Sequence, residues 1–396
     1  MTATLPSPTK AKPTTRRLSV VLVVLGAAAL MAVANAAGLF AFAIDLLVYR
    51  MGGEALLHDF PLYTRQLPGT LLVFTYPPFA AVMMVPLAAL PLQVATVTWS
   101  TISLLSLLLV WRLCLPQVKP PYLLALTLIA FVLEPVWLTF SLGQINLLLM
   151  AMILADLCRA DGSRMRGFWV GVAIGIKLTP LVFLALLVVT RQWKALRNAV
   201  LGVLATVAVG FAAAPKESWE YWTESVSNPE RLGGIAYTSN QSINGFLLRF
   251  GGDYNHWRPL WFLLAATTGL LLLWLSRRLW LTGDRLGSVS VCAMAAIYAS
   301  PVSWSHHWVW IIPLGVTLVR RAYARWGMPW AAVIGVLWFG LFVARPIWWV
   351  PNTNDRELDW TFWQAIPGNS YLLGGIAGLA VLTVLVVKTR PAERTG

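Results

Sequence analysis

The stretch "LSVVLVVLGAAALMAVANAAGLFA", residues 18–41, is the first long apolar run in the chain. A helix rises about 1.5 Å per residue, so this run can cross a hydrocarbon core about 30 Å thick. Basic residues precede it and "ANA" at 34–36 resembles a signal-peptide cleavage site, but the run is longer than the about 7–15 apolar residues of a signal peptide. We therefore expect an uncleaved membrane helix with the amino terminus inside.

The composition extends this membrane character to the whole chain. Hydrophobic residues make up 58% of the sequence and charged residues 12%, whereas soluble domains have about 25% charged residues. No polar linker or internal repeat divides the chain. We expect one all-α polytopic membrane domain at 18–388, after a disordered cytoplasmic tail at 1–17 and before a cytoplasmic tail at 389–396.

The basic residues indicate how the chain is oriented. A net charge of +14 would suggest nucleic acid as the partner of a soluble protein, but here many Lys and Arg residues lie in short segments between apolar runs. This is the pattern of cytoplasmic loops, and it predicts contact with anionic membrane lipids and no nucleic acid. Cys114, Cys158 and Cys292 have no metal-ligand spacing, so we predict buried bystanders and no metal site.

Short breaks interrupt several of the apolar segments. They are "YPP" at 76–78, "LEP" at 133–135, "KLTP" at 177–180 and "SHH" at 305–307. Irregular backbone at membrane depth is tolerated only where it is buried in protein or lines a cavity. We therefore predict about twelve spanning helices, several of them short or broken, around a cavity, with loops at the outer face.

Polar side chains cluster at these breaks and in the loops beside them. With the basic segments inside, all of them fall at or near the outer face, which predicts one outward-facing site because ionisable groups at membrane depth are costly and usually functional. They are Asp45, Glu134, Gln144, Asn146, Lys177, Asn240, Gln241, His306 and His307.

Several of these residues also have a purely structural explanation. Asp45 could be a helix-end carboxylate paired with Arg50, and Asp59 is a rival carboxylate in the same loop region. Glu134 could be a hydrogen-bonding partner between helices, and Lys177 could extend its amine toward water. The adjacent His306 and His307 point in different directions on a helix and make a poor metal-binding pair.

Taken together, the polar residues indicate a class of reaction. A carboxylate can act as general base on a hydroxyl, while Lys, Arg and His supply positive charge to a phosphate leaving group. These are the requirements of glycosyl transfer from a lipid phosphate. The alternative is a transporter or flippase of a lipid-linked sugar, but such proteins usually have inverted repeats and polar residues accessible from both faces.

The sequence resembles glycosyltransferase family 87 of the C superfamily, the polyprenyl-phosphate-mannose-dependent mannosyltransferases of mycobacteria and their relatives. The resemblance covers most of the chain, with its motifs in the order of the family. They are "DLLVYRMGGEALL" (45–57), "FTYPPFAAVMMVPLAALP" (74–91), "EPVWLTFSLGQINLLLMAMILADL" (134–157), "GVAIGIKLTPLVF" (171–183), "SNQSINGFLLR" (239–249) and "SPVSWSHHWVW" (300–310).

The resemblance implies a transmembrane bundle of the C-superfamily type and an inverting transfer of mannose. The implied donor is polyprenyl-phosphate-mannose, and the implied acceptor is a lipid-anchored mannoside, either a phosphatidylinositol mannoside or lipomannan. The product is an α-mannosidic bond, with α-1,2 linkage favoured by similarity to the enzymes that elongate phosphatidylinositol mannosides. The reaction is expected at the outer face of the plasma membrane, without a cofactor.

The resemblance also implies roles for individual residues. Asp45 matches the catalytic base, and we expect a nearby cation such as Arg50 to keep the pKa of Asp45 low. Lys177, His306, His307 and Arg50 are predicted to bind the donor phosphate. The residues predicted to bind substrate are Tyr49, Tyr76, Glu134, Gln144, Asn146, Asn240, Gln241 and Trp304.

Overall fold

The computed structural model describes residues 13–40, 43–159, 162–227, 234–251 and 254–387. The predicted tails at both ends lie outside these ranges, except for residues 13–17, which begin the first helix.

Within the described ranges the regular secondary structure is entirely helical and contains no strand. The predicted all-α class is therefore confirmed. The α-helices, numbered in chain order, are α1 (Pro13–Ala36), α2 (Ile44–His58), α3 (Pro78–Ala88), α4 (Leu92–Cys114), α5 (Pro120–Ile129), α6 (Glu134–Leu142), α7 (Asn146–Leu157), α8 (Phe168–Ile176), α9 (Val182–Val189), α10 (Trp193–Ala213), α11 (Pro215–Thr223), α12 (Ile243–Leu248), α13 (Tyr254–Leu281), α14 (Arg285–Ala299), α15 (Ile311–Trp326), α16 (Met328–Ala344), α17 (Phe362–Gly368) and α18 (Ser370–Val387).

Long apolar helices make the chain a multi-pass membrane protein. In the described part, α4, α10, α13, α16 and α18 are each long and apolar enough to cross a membrane. The α5–α6 pair is bent by 83° at its break and brings the number from 5 to 6 if it forms one span. Apart from α1, which extends from Pro13 to Ala36, the other helices are shorter, as predicted for several segments. The figure of about twelve spans stays a prediction.

The predicted breaks are present. Leu133 is extended between the 3₁₀ turn that ends α5 and the start of α6, where Pro135 occupies a first-turn position that needs no N–H donor. Lys177 is extended (φ −150°, ψ 135°) after α8, and a 3₁₀ turn at Thr179–Leu181 then leads into α9. A further 3₁₀ segment, Ser305–Trp310, precedes α15. Each break exposes polar groups inside an otherwise apolar bundle.

Basic segments from distant parts of the chain meet at one end of the bundle. The Arg285 guanidinium donates to the carbonyl of Arg159 at 2.7 Å, and Arg277 donates to the carbonyl of Val189 at 3.0 Å. Arg321 pairs with Asp284 at 2.8 Å. We call this the basic end.

The helices then carry the polar breaks to the opposite end. α7 begins at Asn146 and runs toward the basic end, and α8 returns from there to Lys177. α14 starts beside the basic end at Arg285 and leads to the segment 300–307. The polar breaks therefore gather at one end, away from the basic segments.

Close packing of α8 against α10 sets the position of Lys177. A Cβ atom on Gly171 would lie 2.1 Å from the carbonyl oxygen of Ala199, and one on Gly202 would lie 2.4 Å from that of Phe168. Only glycine permits backbones to approach so closely. The end of α8, and with it Lys177, is thereby held against a membrane-spanning helix.

Candidate active site

A cavity of about 890 Å³ lies at the end opposite the basic end. Asp45, Lys177, His306 and His307 all line it, which confirms the prediction that these four residues share one cavity. Tyr76, Gln144 and Trp304, also predicted from the sequence, line the same space. Its volume lies near the upper end of ligand pockets, which are about 300–1,000 Å³.

Asp45 is placed at the cavity by the start of α2. It is the second residue of this helix, where the backbone N–H groups favour a carboxylate, and α2 is not among the long apolar helices. Burial raises the pKa of Asp45 to about 6, although a hydrogen bond from Gln144 and the charge of Lys177 both oppose the rise. The prediction of a low pKa is therefore wrong, because desolvation outweighs the nearby cation.

Gln144 connects Asp45 to the buried Tyr49 and the half-buried Tyr76. The Tyr49 hydroxyl donates to Gln144 Oε1 at 2.9 Å, so the amide nitrogen of Gln144 is the atom left to hydrogen-bond Asp45. The hydroxyls of Tyr49 and Tyr76 lie 3.2 Å apart. Tyr49 does not itself line the cavity, and acts instead by orienting Gln144.

Lys177 supplies a cation on the same cavity. Its Nζ donates to Asn146 Oδ1 at 3.3 Å and lies 3.2 Å from His307 Nε2, while it stands 5.6 Å from the centre of the Tyr76 ring. Among the described residues no carboxylate lies within 4.0 Å of Nζ. The positive charge is therefore held by neutral groups and is available to an anionic ligand.

The two histidines face this cation in different ways. When Lys177 is charged its ammonium can only donate, so His307 Nε2 is then the acceptor of this contact. His306 is 5% exposed, and in the described part of the chain neither of its ring nitrogens has a hydrogen-bond partner. Because buried polar atoms are usually paired, the His306 ring has unused capacity to bind a ligand in the cavity.

Arg50 points away from the cavity. Its guanidinium donates to the carbonyls of Leu87, Ala88 and Leu90, around the end of α3, and it does not line the cavity. An arginine at a helix C-terminus satisfies carbonyls that have no partner within the helix. Its position argues against both the predicted role in donor binding and the alternative pairing with Asp45.

Glu134 lies behind the cavity wall. Its carboxylate is 2% exposed and accepts hydrogen bonds from Ser305 at 2.7 Å, Trp348 at 3.1 Å and Tyr371 at 3.2 Å. Trp348 lines the cavity but Glu134 does not. The structure thus corrects the prediction of substrate binding: Glu134 is the hydrogen-bonding partner between segments that the alternative described.

Asn146, Asn240 and Gln241 also act within the protein. Asn146 donates to the carbonyl of His306 at 3.0 Å while it accepts from Lys177. Asn240 Oδ1 accepts from the backbone N–H of Ser303 at 2.8 Å, and Gln241 donates to the carbonyl of Gly368 at 2.7 Å. None of the three lines the main cavity, so they position the wall and are not placed to contact substrate there.

Asp59, the rival carboxylate, lies at the other end of α2. It has a left-handed conformation (φ 56°) as the last turn closes, it is exposed, and it does not line the cavity. The geometry therefore favours Asp45.

The sequence analysis missed several lining residues, among them Tyr237, Ser239 and Arg258. Ser239 begins the motif at 239–249 that contains Asn240, and Tyr237 lies two residues before it. The segment was therefore identified, but Asn240 and Gln241 were chosen in place of these two side chains. Arg258 is a cation near the start of a long apolar helix, and that position could have marked it. Within the described ranges no group of three or more His, Cys, Asp or Glu side chains could hold a metal ion.

Comparison with known proteins assigns the chain to a family. Residues 74–301 match the sequence profile of glycosyltransferase family 87. The chain belongs to this family. The matched region contains Tyr76, Gln144, Lys177 and Arg258, whereas Asp45 precedes it and the histidine pair follows it.

Curated relatives are similar over most of their length. One from Mycolicibacterium smegmatis, named polyprenol-phosphate-mannose-dependent alpha-(1-2)-phosphatidylinositol mannoside mannosyltransferase, is 36% identical over 372 residues, covering 86% of this chain and 83% of the relative. A relative of the same name from Mycobacterium tuberculosis is 31% identical over 381 residues, 89% of this chain and 87% of the relative. Another relative from Mycobacterium tuberculosis is named polyprenol-phosphate-mannose-dependent alpha-(1-2)-phosphatidylinositol pentamannoside mannosyltransferase. It is 35% identical over 352 residues, which cover 84% of this chain and 81% of the relative.

No solved structure matches the chain significantly. The family assignment confirms that the protein is a membrane glycosyltransferase, and it does not support the alternative of a transporter.

Proposed function

We propose that this glycosyltransferase moves mannose from polyprenyl-phosphate-mannose to a lipid-anchored mannoside, a phosphatidylinositol mannoside or lipomannan, and forms an α-1,2 bond. The names of the relatives support this donor and the phosphatidylinositol mannoside acceptor. The observation that carries the proposal is that Asp45 and Lys177 line one cavity. A base and a phosphate-binding cation in one space are what glycosyl transfer from a lipid phosphate requires.

Asp45 is the general base in this proposal. Its ionised carboxylate accepts the proton of the acceptor hydroxyl as the hydroxyl oxygen forms a bond to the anomeric carbon of mannose. A base with a pKa of about 6 is largely ionised at neutral pH and is more basic than an ordinary aspartate. Both properties favour general-base catalysis near pH 7.

Lys177 and the histidines receive the leaving group. The bond between the anomeric carbon and the phosphate oxygen breaks, and its electron pair goes to that oxygen to give polyprenyl phosphate. The added negative charge is stabilised by the Lys177 ammonium, which has no described carboxylate within 4.0 Å. His306, whose ring nitrogens are unpartnered in the described part, donates a further hydrogen bond.

Inversion follows from a single displacement. The acceptor oxygen attacks from the Asp45 side while the phosphate departs toward Lys177, so a β-mannosyl phosphate yields an α-mannoside. Holding two lipid headgroups together in one cavity makes the transfer effectively unimolecular, which lowers the barrier by several kcal/mol in favourable cases.

The basic end supports an orientation with the cavity at the outer face of the plasma membrane. Cytoplasmic loops are enriched in Lys and Arg, and the basic end carries Arg159, Arg277, Arg285 and Arg321. The cavity lies at the opposite end, where lipid substrates in the outer leaflet would meet it.

The test is a transfer assay with purified protein in nanodiscs, polyprenyl-phosphate-mannose and phosphatidylinositol mannosides, followed by linkage analysis of the product. Asp45→Asn should lower the rate by about 10²–10⁴-fold, as expected for loss of a general base. Asp59→Asn, a matched change at the far end of α2, should keep substantial activity. Folded Asp45→Asn protein that transfers mannose at the parent rate would show that another group is the base.

A further inference from the structure

Arg258 is a second cation on the cavity, at its rim. It lies near the start of α13 and lines the cavity, yet its side chain is exposed. Its guanidinium packs over the Phe262 ring at 5.7 Å, one helical turn along α13. Lys177, by contrast, lies at the wall beside Asn146 and His307. The cavity thus carries one cation inside and one at its edge.

The rim beside Arg258 adjoins a surface suited to lipid. Phe262 lines the cavity and is 53% exposed, so the cavity opens next to the outer face of α13. Along this helix Leu263 is 63% exposed and Leu270 is 70% exposed, and the helix is long and apolar enough to cross a membrane. A lipid can therefore place its headgroup in the cavity while its chains lie along α13.

The proposed function, on which this inference rests, brings two lipid phosphates to the cavity. The donor phosphate is bonded to the reacting carbon, so it must lie close to Asp45, and Lys177 is the cation whose charge acts on Asp45. The acceptor phosphate is separated from the reacting hydroxyl by inositol and at least one mannose. It therefore lies further from Asp45, toward the rim.

We propose that Arg258 binds the phosphodiester of the acceptor lipid and so makes the enzyme select acceptors that carry a phosphate. A guanidinium suits this role because its planar donors can bind two phosphate oxygens at once. The Phe262 ring beneath it limits the orientations the guanidinium can adopt.

The experiment compares two acceptors in nanodiscs: a phosphatidylinositol mannoside and a phosphate-free alkyl mannoside. Arg258→Ala should raise KM for the phosphatidylinositol mannoside by roughly 5- to 10-fold, the range for a partly solvated charge-assisted contact. KM for the alkyl mannoside and for the donor should change less than about twofold. For Arg258→Lys, KM for the phosphatidylinositol mannoside should lie between the values of the parent and of Arg258→Ala. The matched control is Arg278→Ala, at the far end of α13 over Trp274, which should leave acceptor preference unchanged.

Two results would overturn the proposal. An equal rise in KM for both acceptors, or a rise in KM for the donor, would assign Arg258 to the donor phosphate or to the general shape of the site. Unchanged kinetics would make it a surface arginine only. Binding of fluorescent phosphatidylinositol, against a fluorescent uncharged glycolipid, is measured in parallel. If the parent transfers no mannose the proposed function fails, while a phosphate preference in binding that Arg258→Ala abolishes would still support this phosphate site.

Discussion

Replacing Gln144 by methionine tests whether the hydrogen bond to Asp45 sets the basicity of the proposed catalytic base. Methionine has nearly the length of glutamine but cannot donate. Gln144 opposes the rise in the pKa of Asp45, which stands at about 6. A hydrogen bond to a charged group contributes about 1.5–3 kcal/mol, and each pKa unit corresponds to about 1.4 kcal/mol.

The expected result is a shift of the acidic limb of activity toward higher pH. Asp45 must be ionised to act, so the activity of the parent falls as pH drops through about 6. Without the Gln144 donor this pKa rises by about one to two units, to about 7–8. The variant should then lose roughly tenfold at pH 6.5 but only about twofold or less at pH 9.

The measurement is kcat/KM for mannose transfer between pH 5.5 and about pH 9.5, which reports ionisations of the free enzyme. Gln144→Met also removes the acceptor at 2.9 Å from the Tyr49 hydroxyl, which keeps the Tyr76 hydroxyl at 3.2 Å. Thermal unfolding is therefore followed alongside. The double variant Tyr49→Phe, Gln144→Met also removes this hydroxyl and should recover stability, but it should keep the shifted acidic limb of the pH profile.

Tyr49→Phe alone should move the limb less, because Gln144 can still donate. An equal loss of activity at every pH would refute the reasoning and show that Gln144 only supports the packing of α2. If Gln144→Met keeps full activity and the midpoint of its acidic limb stays near that of the parent, Gln144 does not influence the base.

Two further predictions concern the cation and the packing beside the base. Lys177→Met should lower kcat by about 10²-fold, the effect of losing one group that stabilises developing charge. Its control, Lys216→Met on the exposed part of α11, should leave kcat unchanged. Equal kcat values for the two variants would exclude Lys177 from the site. Gly143→Ala should destabilise the protein by about 1–3 kcal/mol in thermal unfolding, because φ is +70° and the new Cβ would lie 2.7 Å from Leu46 Cβ. Gly340→Ala, which meets nothing within 4 Å, is its control, and equal stability of the two would contradict the packing argument.

The sequence was sufficient to predict an all-α membrane protein with broken helices. Apolar runs, Pro positions and basic segments are local features whose free energies in a bilayer are large, so they can be interpreted without the fold. The same reasoning identified Asp45, Lys177, His306 and His307, because an ionisable group at a break in an apolar chain is costly unless it has a role.

The tertiary structure decided which polar side chain meets which partner. Arg50 follows Asp45 closely in sequence but binds carbonyls around the end of α3. The Glu134 carboxylate accepts hydrogen bonds from Ser305, Trp348 and Tyr371, all more than 170 residues away along the chain. A hydrogen bond depends on distances of about 3 Å, and these are fixed by long-range packing that no local pattern encodes.

The same physics explains the pKa of Asp45 and the position of Arg258. The sequence shows a carboxylate and several cations, but the pKa of Asp45 depends on how much water reaches it. Arg258 became a candidate only when α13 was found at the cavity rim. Chain composition and local pattern therefore determined the class of protein and the types of residue at its site, whereas burial and long-range contact, which exist only in the folded chain, decided what each of those residues touches.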